Sequence, residues 1–297
     1  MAAPLSTNNS SLARWLRRRG SRHVSTQSPV IVGGCQRSGT TLLRVMLDSH
    51  PNIACGPETS LLTGGYRPEK LARRFDITPE AIAMLRQSAK DHAHFIEEFF
   101  SLYAATRRKP RWAEKTPQNV RHIDYIFAHF PNAKFIHVIR DGRDVVCSVR
   151  THPRFRIVNG EKVPTNIRRP LAPCIDNWLR DTAAGMKSRG RPNYYEVHYE
   201  QLVESPEPTL RRLCEFIGEP WDGRMLDYHR EPGPSREPTH FITNEAATRP
   251  LSRQALHRWR VDLSEDEQRL FYHEAGQRLT EFGYEIEEPA AIARGGR

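Results

Sequence analysis

No stretch of this 297-residue chain approaches the roughly 20 consecutive apolar residues of a bilayer-spanning helix, so no stable membrane insertion is expected. Cysteine is scarce. There are five (Cys35, Cys55, Cys147, Cys174 and Cys214), an odd number that never takes the spacing Cys-X-X-Cys. That pattern gives neither a disulfide framework nor a cysteine-based metal site, and it points to a reducing, cytoplasmic location. No metal is expected. Residues 1–28 contain no acidic side chain and no apolar core; Arg14, Arg17, Arg18 and Arg19 surround only Trp15 and Leu16. No secretory signal is expected. The segment reads as a disordered basic leader, with an Arg-rich, Ser-rich transit peptide as the alternative. No long linker interrupts the middle of the chain, so residues 29–288 read as one large domain and 289–297 as a flexible tail.

Positive charge, by contrast, is plentiful. The formal net charge is +10 and the isoelectric point about 9.6. Arginine-rich base composition would account for this, and so would an anionic ligand, since one phosphate monoester carries about −1.5 to −2 at neutral pH. Nucleic acid is not expected as a partner, because the basic residues are scattered and form no helix-turn-helix, RNA-binding or zinc-finger pattern.

One stretch organises the rest. Pro29 to Leu47 begins with a β-branched run (Val30, Ile31, Val32), passes through Gly33-Gly34 and a turn at Arg37-Ser38-Gly39, and enters a helix at Thr40-Thr41. The helix carries its apolar stripe on Leu43, Met46 and Leu47. Strand, glycine-bearing loop and helix N-terminus make an anion cradle, because free backbone N–H groups and the helix dipole both point into the turn. Gly34 and Gly39 have the separation of a Walker A loop, yet Thr40 stands where a nucleotide triphosphatase places its lysine. That lysine serves the β- and γ-phosphates beside Mg²⁺. Its replacement argues for a nucleotide held without triphosphate cleavage, and against the rival reading of a small-molecule kinase.

The string Arg-Ser-Gly-Thr-Thr-Leu-Leu-Arg (37–44), followed by Leu-Asp-Ser-His-Pro (47–51), resembles the phosphosulfate loop of sulfotransferases. These enzymes use 3′-phosphoadenosine-5′-phosphosulfate (PAPS). It is similar to the branch containing tyrosylprotein sulfotransferases and many bacterial sulfotransferases. The resemblance implies an α/β, P-loop-type three-layer fold with a central parallel sheet. It also implies sulfuryl transfer from PAPS to a hydroxyl by in-line displacement, with Arg37, Ser38, Gly39, Thr40 and Thr41 on the 5′-phosphosulfate.

The remaining motifs fall in the family's order. Glu58, after a Gly-Pro turn, matches the family's catalytic base. A carboxylate at such a place is otherwise a favourable helix-start charge. Lys115, in Glu-Lys-Thr-Pro at the end of a short strand, matches the lysine that touches the bridging oxygen. Its alternative is a surface lysine at a turn. A second buried strand, Lys134 to Arg140, runs into Asp141-Gly142-Arg143-Asp144 and a helix bearing Ser148. Arg140 and Ser148 match the 3′-phosphate site, for which a guanidinium offers a planar two-pronged donor and a serine one more. Tyr199 matches a nucleotide-binding tyrosine, or is a core residue whose hydroxyl is satisfied locally. Counting back from Trp259 places Arg258 at a family lysine position and Thr243 near a family catalytic serine.

Other segments carry less. Residues 79–106 read as helices with Ile82, Leu85, Phe95, Phe99 and Leu102 on apolar faces, His92 and His94 being too poorly spaced for ligands on one face. Residues 152–170 read as a Pro/Arg-rich loop serving as a mobile lid, 206–217 as a helix ended by Gly218, and 264–282 as a helix capped by Ser264. The Golgi relatives pair a cysteine at the Cys55 position with another where this chain has Ala113. With neither that disulfide nor a membrane anchor expected, a carbohydrate, lipid or other small-molecule hydroxyl is expected as acceptor. A protein tyrosine is the alternative, and a homodimer is left open.

Overall fold

The computed structural model describes residues 22–152, 154–158, 161–165, 167–230 and 249–286, with side chains at residues 163, 165 and 167–170 but not elsewhere in 153–166. Thr243 and the tail at 289–297 lie outside the described residues. In chain order the strands are β1 (Val30–Gly34), β2 (Ile53–Cys55), β3 (Arg111–Lys115), β4 (Lys134–Ile139), β5 (Arg154–Val158), β6 (Glu161–Thr165) and β7 (Tyr194–His198). The helices that matter below are α1 (Thr40–Ser49), α2 (Pro68–Phe75), α3 (Pro79–Ser88), α4 (His92–Thr106), α5 (Ile123–His129), α6 (Gly142–Arg150), α7 (Leu171–Met186), α8 (Tyr199–Glu204), α9 (Pro206–Ile217), α10 (Trp259–Asp262) and α11 (Glu265–Glu281). None among the described residues is long and apolar enough to cross a membrane.

Five strands form a parallel sheet in the order β2-β3-β1-β4-β7. Val30, Ile31 and Val32 are fully buried because helices cover both faces of a parallel sheet, which also explains their unbroken apolar run. Alternate residues serve opposite layers. Ile31, Trp112 and Phe135 join α2 to α5 on one face, while Val30, Val32, Ile136 and Val138 meet α1 and α9 on the other. A third cluster around Val146, Trp178 and Phe271 seats α6, α7 and α11 beyond the carboxyl ends of β1 and β4, against Cys35 and Ile139. This is the expected three-layer α/β architecture.

Three expectations need correction. Residues 154–165 form an antiparallel hairpin of β5 and β6 rather than a loop. Pro164 is compatible with it because the ribbon has two edges, where proline's missing donor costs little. Leu102 is 37% exposed, because α4 turns Phe99, Phe100 and Tyr103 inward instead. Residues 22–28, assigned to the disordered leader, run against α4, α5 and β3: Ser25 N–H donates to His129 O (2.8 Å) and Trp112 Nε1 to Gln27 Oε1 (2.6 Å). The side chains of Arg22, His23, Gln27 and Ser28 supply polar partners that composition alone does not reveal. His92 is buried with Nε2 2.8 Å from Leu61 O, a packing role. The helix over 206–217 ends in left-handed Gly218 (φ 77°), and Ser264 forms a reciprocal capping box with Glu267.

The sheet also carries a buried acid-labile group. His137, in the middle of β4, is fully buried, its Nδ1 2.6 Å from Tyr194 Oη, which donates onward to Glu196 (3.0 Å). Burial pushes its pKa down to about 4, so the fold holds the ring neutral. The unfolded chain takes up that proton near pH 6.5, so this stabilisation is fully present above that value and is lost as pH falls toward 4. The expected cost is up to about 3 kcal/mol, or 1.36 kcal/mol for each unit by which the pKa is depressed. Denaturant midpoints at pH 7 and 4.5 check it: His137→Gln should show a smaller drop than the wild type, and an equal drop would assign the acid sensitivity elsewhere.

Candidate functional site

The carboxyl ends of β1, β3 and β4 meet at the site, in register Val32 opposite Lys115 and Gly34 opposite Val138. Such strand ends are where open α/β sheets bind ligands. The turn between β1 and α1 is held in an unusual backbone: Arg37 lies at φ 71° and Gly39 at φ 94°. A left-handed arginine is strained, by roughly 1–2 kcal/mol, and persists only where surroundings enforce it. At Gly39 a side chain would meet the Tyr199 ring, so glycine is needed for space as well as conformation. The α1 N-terminus has no side-chain cap and no acid in its first turn. Its free N–H groups are therefore left for an anion.

Glu58 and Lys115 face each other across the β2–β3 edge. The buried Lys115 Nζ donates to Glu58 Oε1 in a short ion pair and to Thr41 Oγ1 (3.2 Å). The Glu58 side chain remains 43% exposed, so it can meet a second molecule. Desolvation pushes its carboxyl up, but Lys115, then Arg74 and Arg44, outweigh it and hold the group below the usual carboxylate range. It is ionised at neutral pH. Arg74 also fixes this turn by donating to Glu58 O (2.7 Å).

Behind the pair lies Glu114, which the sequence reading passed over. Its buried carboxylate accepts from Thr59 Oγ1 (2.8 Å), Thr116 Oγ1 (2.6 Å) and Asn119 Nδ2. Thr59 adjoins Glu58 and Glu114 adjoins Lys115, so one hydrogen-bonded acid ties the two facing residues together. Burial raises the Glu114 pKa, the three hydrogen bonds opposing it.

The second group sits on β4 and α6. Arg37 Nε donates to Ser148 Oγ (3.1 Å), and Arg140 Nη1 to Arg37 O (2.9 Å). Arg140 also donates to Ala255 O and lies over the Tyr199 ring, 4.6 Å from its centroid. Tyr199 is thus neither a free surface group nor a plain core residue. The bonds at Arg37 join the loop directly to the Arg140/Ser148 pair. Arg37 is held below its usual pKa by burial and then by Arg140 and Arg258, and His152 is likewise depressed by burial, Arg37 and Arg169. These cations crowd one another. Two buried donors, Ser38 Oγ and Arg140 Nε, have no hydrogen-bond partner among the described residues. Unpaired buried donors beside cations that hold down Arg37 and His152 fit a multiply charged anion. Arg258, at the edge of this group, pairs with Asp262 (Nε to Oδ2, 2.6 Å) and reaches Thr151 (3.4 Å).

His152 and Glu114 escaped the sequence reading, although His152 stands just past the end of α6, four residues after Ser148. All five thiols are free and buried, and Cys55 pairs in register with Ala113, the position where the relatives' second cysteine would stand.

Comparison with known proteins adds the following. The sulfotransferase family profile matches residues 29–223. Protein-tyrosine sulfotransferase A of Caenorhabditis elegans is 31% identical over 251 residues, 80% of this chain and 62% of the relative. Protein-tyrosine sulfotransferase 2 of Gallus gallus is 31% identical over 261 residues, 80% of this chain and 66% of its own length. The chain thus spans under two thirds of these relatives. Among solved structures, the sulfotransferase domain of the Synechococcus olefin synthase superposes with TM-score 0.67 at 22% identity, covering 89% of this chain and 98% of that one. A mouse sulfotransferase complexed with PAP gives 0.53 at 14% identity, covering 93% and 94%. At those identities the two structures speak for the fold.

Proposed function

The chain belongs to the sulfotransferase family, and on that premise we propose that it transfers a sulfuryl group from PAPS to a phenolic hydroxyl of a tyrosine-bearing acceptor. One observation carries the reading: Lys115 joins Glu58 to Thr41 of the phosphate-type loop, so a base, a cation and an anion cradle form one connected set. Bound PAPS supplies the sulfuryl group and a phosphate leaving group. Arg37 to Thr41 hold its 5′ end through backbone N–H groups and hydroxyls, and Arg140 with Ser148 hold its 3′-phosphate. Glu58 takes the acceptor proton as the acceptor oxygen attacks in line. Lys115 stands ready to neutralise charge growing on the leaving oxygen, and Thr243, outside the described residues, keeps its sequence-assigned helper role as part of this proposal.

The names of the relatives favour the tyrosine alternative over the small-molecule acceptor expected from sequence. Chemistry agrees. A carboxylate held below its usual pKa is a weak base, and a phenol with pKa about 10 yields its proton to such a base far more readily than an alkyl alcohol. The missing Cys55–113 staple removes one crosslink and says nothing about which hydroxyl enters.

The test is transfer of labelled sulfate from PAPS to tyrosyl peptides, small phenols and carbohydrate or lipid alcohols side by side. Label on the peptides, with a mass gain of one SO₃ on tyrosine, is the expected result. Label confined to carbohydrate or lipid alcohols would overturn the acceptor assignment. Mg²⁺-dependent ATP turnover without any sulfuryl transfer would overturn the reaction.

A further inference from the structure

Asp144 lies in the first turn of α6, almost wholly buried, and has no part in the reading above. Its two carboxylate oxygens accept from backbone far along the chain: Oδ2 from His257 N–H (2.8 Å) and Oδ1 from Trp259 N–H (3.1 Å). Those two donors flank Arg258. Asp144 Oδ2 is also 3.9 Å from Arg140 Nη2, and the same guanidinium donates to Ala255 O. The segment 255–259 is therefore pinned at three points, by one carboxylate through its N–H groups and by one guanidinium through a carbonyl.

The chemistry of the clamp is specific. The two N–H groups each take a separate oxygen here, and a carboxamide would offer one oxygen and turn an NH₂ donor toward the other N–H. His257 sits at φ 55°, a conformation that a non-glycine residue keeps only when its neighbours enforce it. Trp259 is buried with its ring under the Arg143 guanidinium at 4.0 Å, so the segment is seated on α6 as well as tied to it.

We propose that Asp144 is a positioning residue for the nucleotide: it fixes the backbone on both sides of Arg258, so that Arg258 and Arg140 address one bound anion from two directions. This rests on the PAPS reading. It also accounts for a negative side chain beside an anion pocket, since both its oxygens are spent on backbone donors and on Arg140.

The test measures binding of adenosine 3′,5′-bisphosphate by calorimetry to the wild type, Asp144→Asn, Arg258→Ala and the double variant. Asp144→Asn is expected to weaken binding about tenfold, the consequence of one lost charge-assisted hydrogen bond. Because both act through Arg258, the double variant should bind no more than about threefold worse than the weaker single one. Trypsin provides an independent readout, since Arg253, Arg258 and Arg260 are cleavage sites: Asp144→Asn should be cut there faster, and the bisphosphate should protect it less. Wild-type affinity in Asp144→Asn, or effects that multiply fully, would overturn the inference. Should Asp144→Asn not fold, hydrogen exchange on the wild type decides: amides of His257 and Trp259 should exchange slowly with ligand bound, and open-chain rates there would overturn it. A wild type that does not bind the bisphosphate at all defeats the PAPS reading, and the inference with it.

Discussion

Glu58→Gln and Lys115→Ala are each expected to lower turnover about 100-fold or more while adenosine 3′,5′-bisphosphate binds as to the wild type. The two substitutions remove different things. Glu58→Gln keeps the shape of the side chain but takes away the carboxylate proposed to accept the acceptor's proton. Lys115→Ala takes away the buried cation that bridges Glu58 and Thr41. Neither touches Arg140 or Ser148, so the proposed partners of the nucleotide's 3′ end stay in place. Lys115→Ala has a second signature. Desolvation is the largest influence on Glu58 and acts to raise its pKa; Lys115 is the main counterweight. With the cation gone, the acidic limb of the kcat/KM profile should move to higher pH, whereas in the wild type it lies below the usual carboxylate range. Single-turnover assays and a pH series check both statements. Undiminished turnover in either variant removes that residue from the chemistry, and an unmoved limb in Lys115→Ala removes Glu58 as the titrating base.

The parts of this site that a sequence shows are those whose meaning is local. Val30 to Leu47 encodes strand, turn and helix within eighteen residues, and the hydroxyls and arginine that define the cradle are neighbours in the chain. Arg140 and Ser148 are legible for the same reason, as the end of one strand and the helix that follows it. Glu114 and Asp144 are different. Each is an acidic residue in an unremarked position until its partners arrive, Thr59 from 55 residues away and His257 from 113. Neither pattern nor spacing along the chain encodes those meetings, because a buried carboxylate's role is set by which donors the fold brings to it. The β5–β6 hairpin was hidden for another reason: Pro153, Pro164 and a run of arginines dominate the composition, and an edge ribbon tolerates what a central strand would not. In the fold as a whole, continuous apolar strands announced the parallel sheet, whereas the short α2 stayed unseen because Arg73, Arg74, Lys70 and Glu69 outnumber its buried Leu71, Ala72 and Phe75.

Arg140→Ala is expected to weaken binding of adenosine 3′,5′-bisphosphate about 100-fold, two charge-assisted hydrogen bonds to phosphate being worth roughly 1.5–3 kcal/mol each less what water returns. Ser148→Ala should cost about tenfold or less, a single neutral donor. Arg140→Lys should fall between them, since it keeps the charge but loses the planar fork and the stacking over Tyr199 at 4.6 Å. Because Arg140 also ties down Arg37 O and Ala255 O and faces Asp144, its removal strands a buried carboxylate. The fold should therefore lose stability as well. The two effects separate by experiment: thermal unfolding reports the stability cost without ligand, and calorimetry well below the melting temperature reports binding to folded protein alone. The donor that decides the matter is Arg140 Nε, buried and unpartnered among the described residues. A buried guanidinium leaves a donor idle only at a cost, so an anion that takes it up recovers that cost as affinity. If Arg140→Ala binds the bisphosphate as tightly as the wild type, the 3′-phosphate lies elsewhere, and the crowding of Arg37, Arg140 and Arg258 needs a different anion.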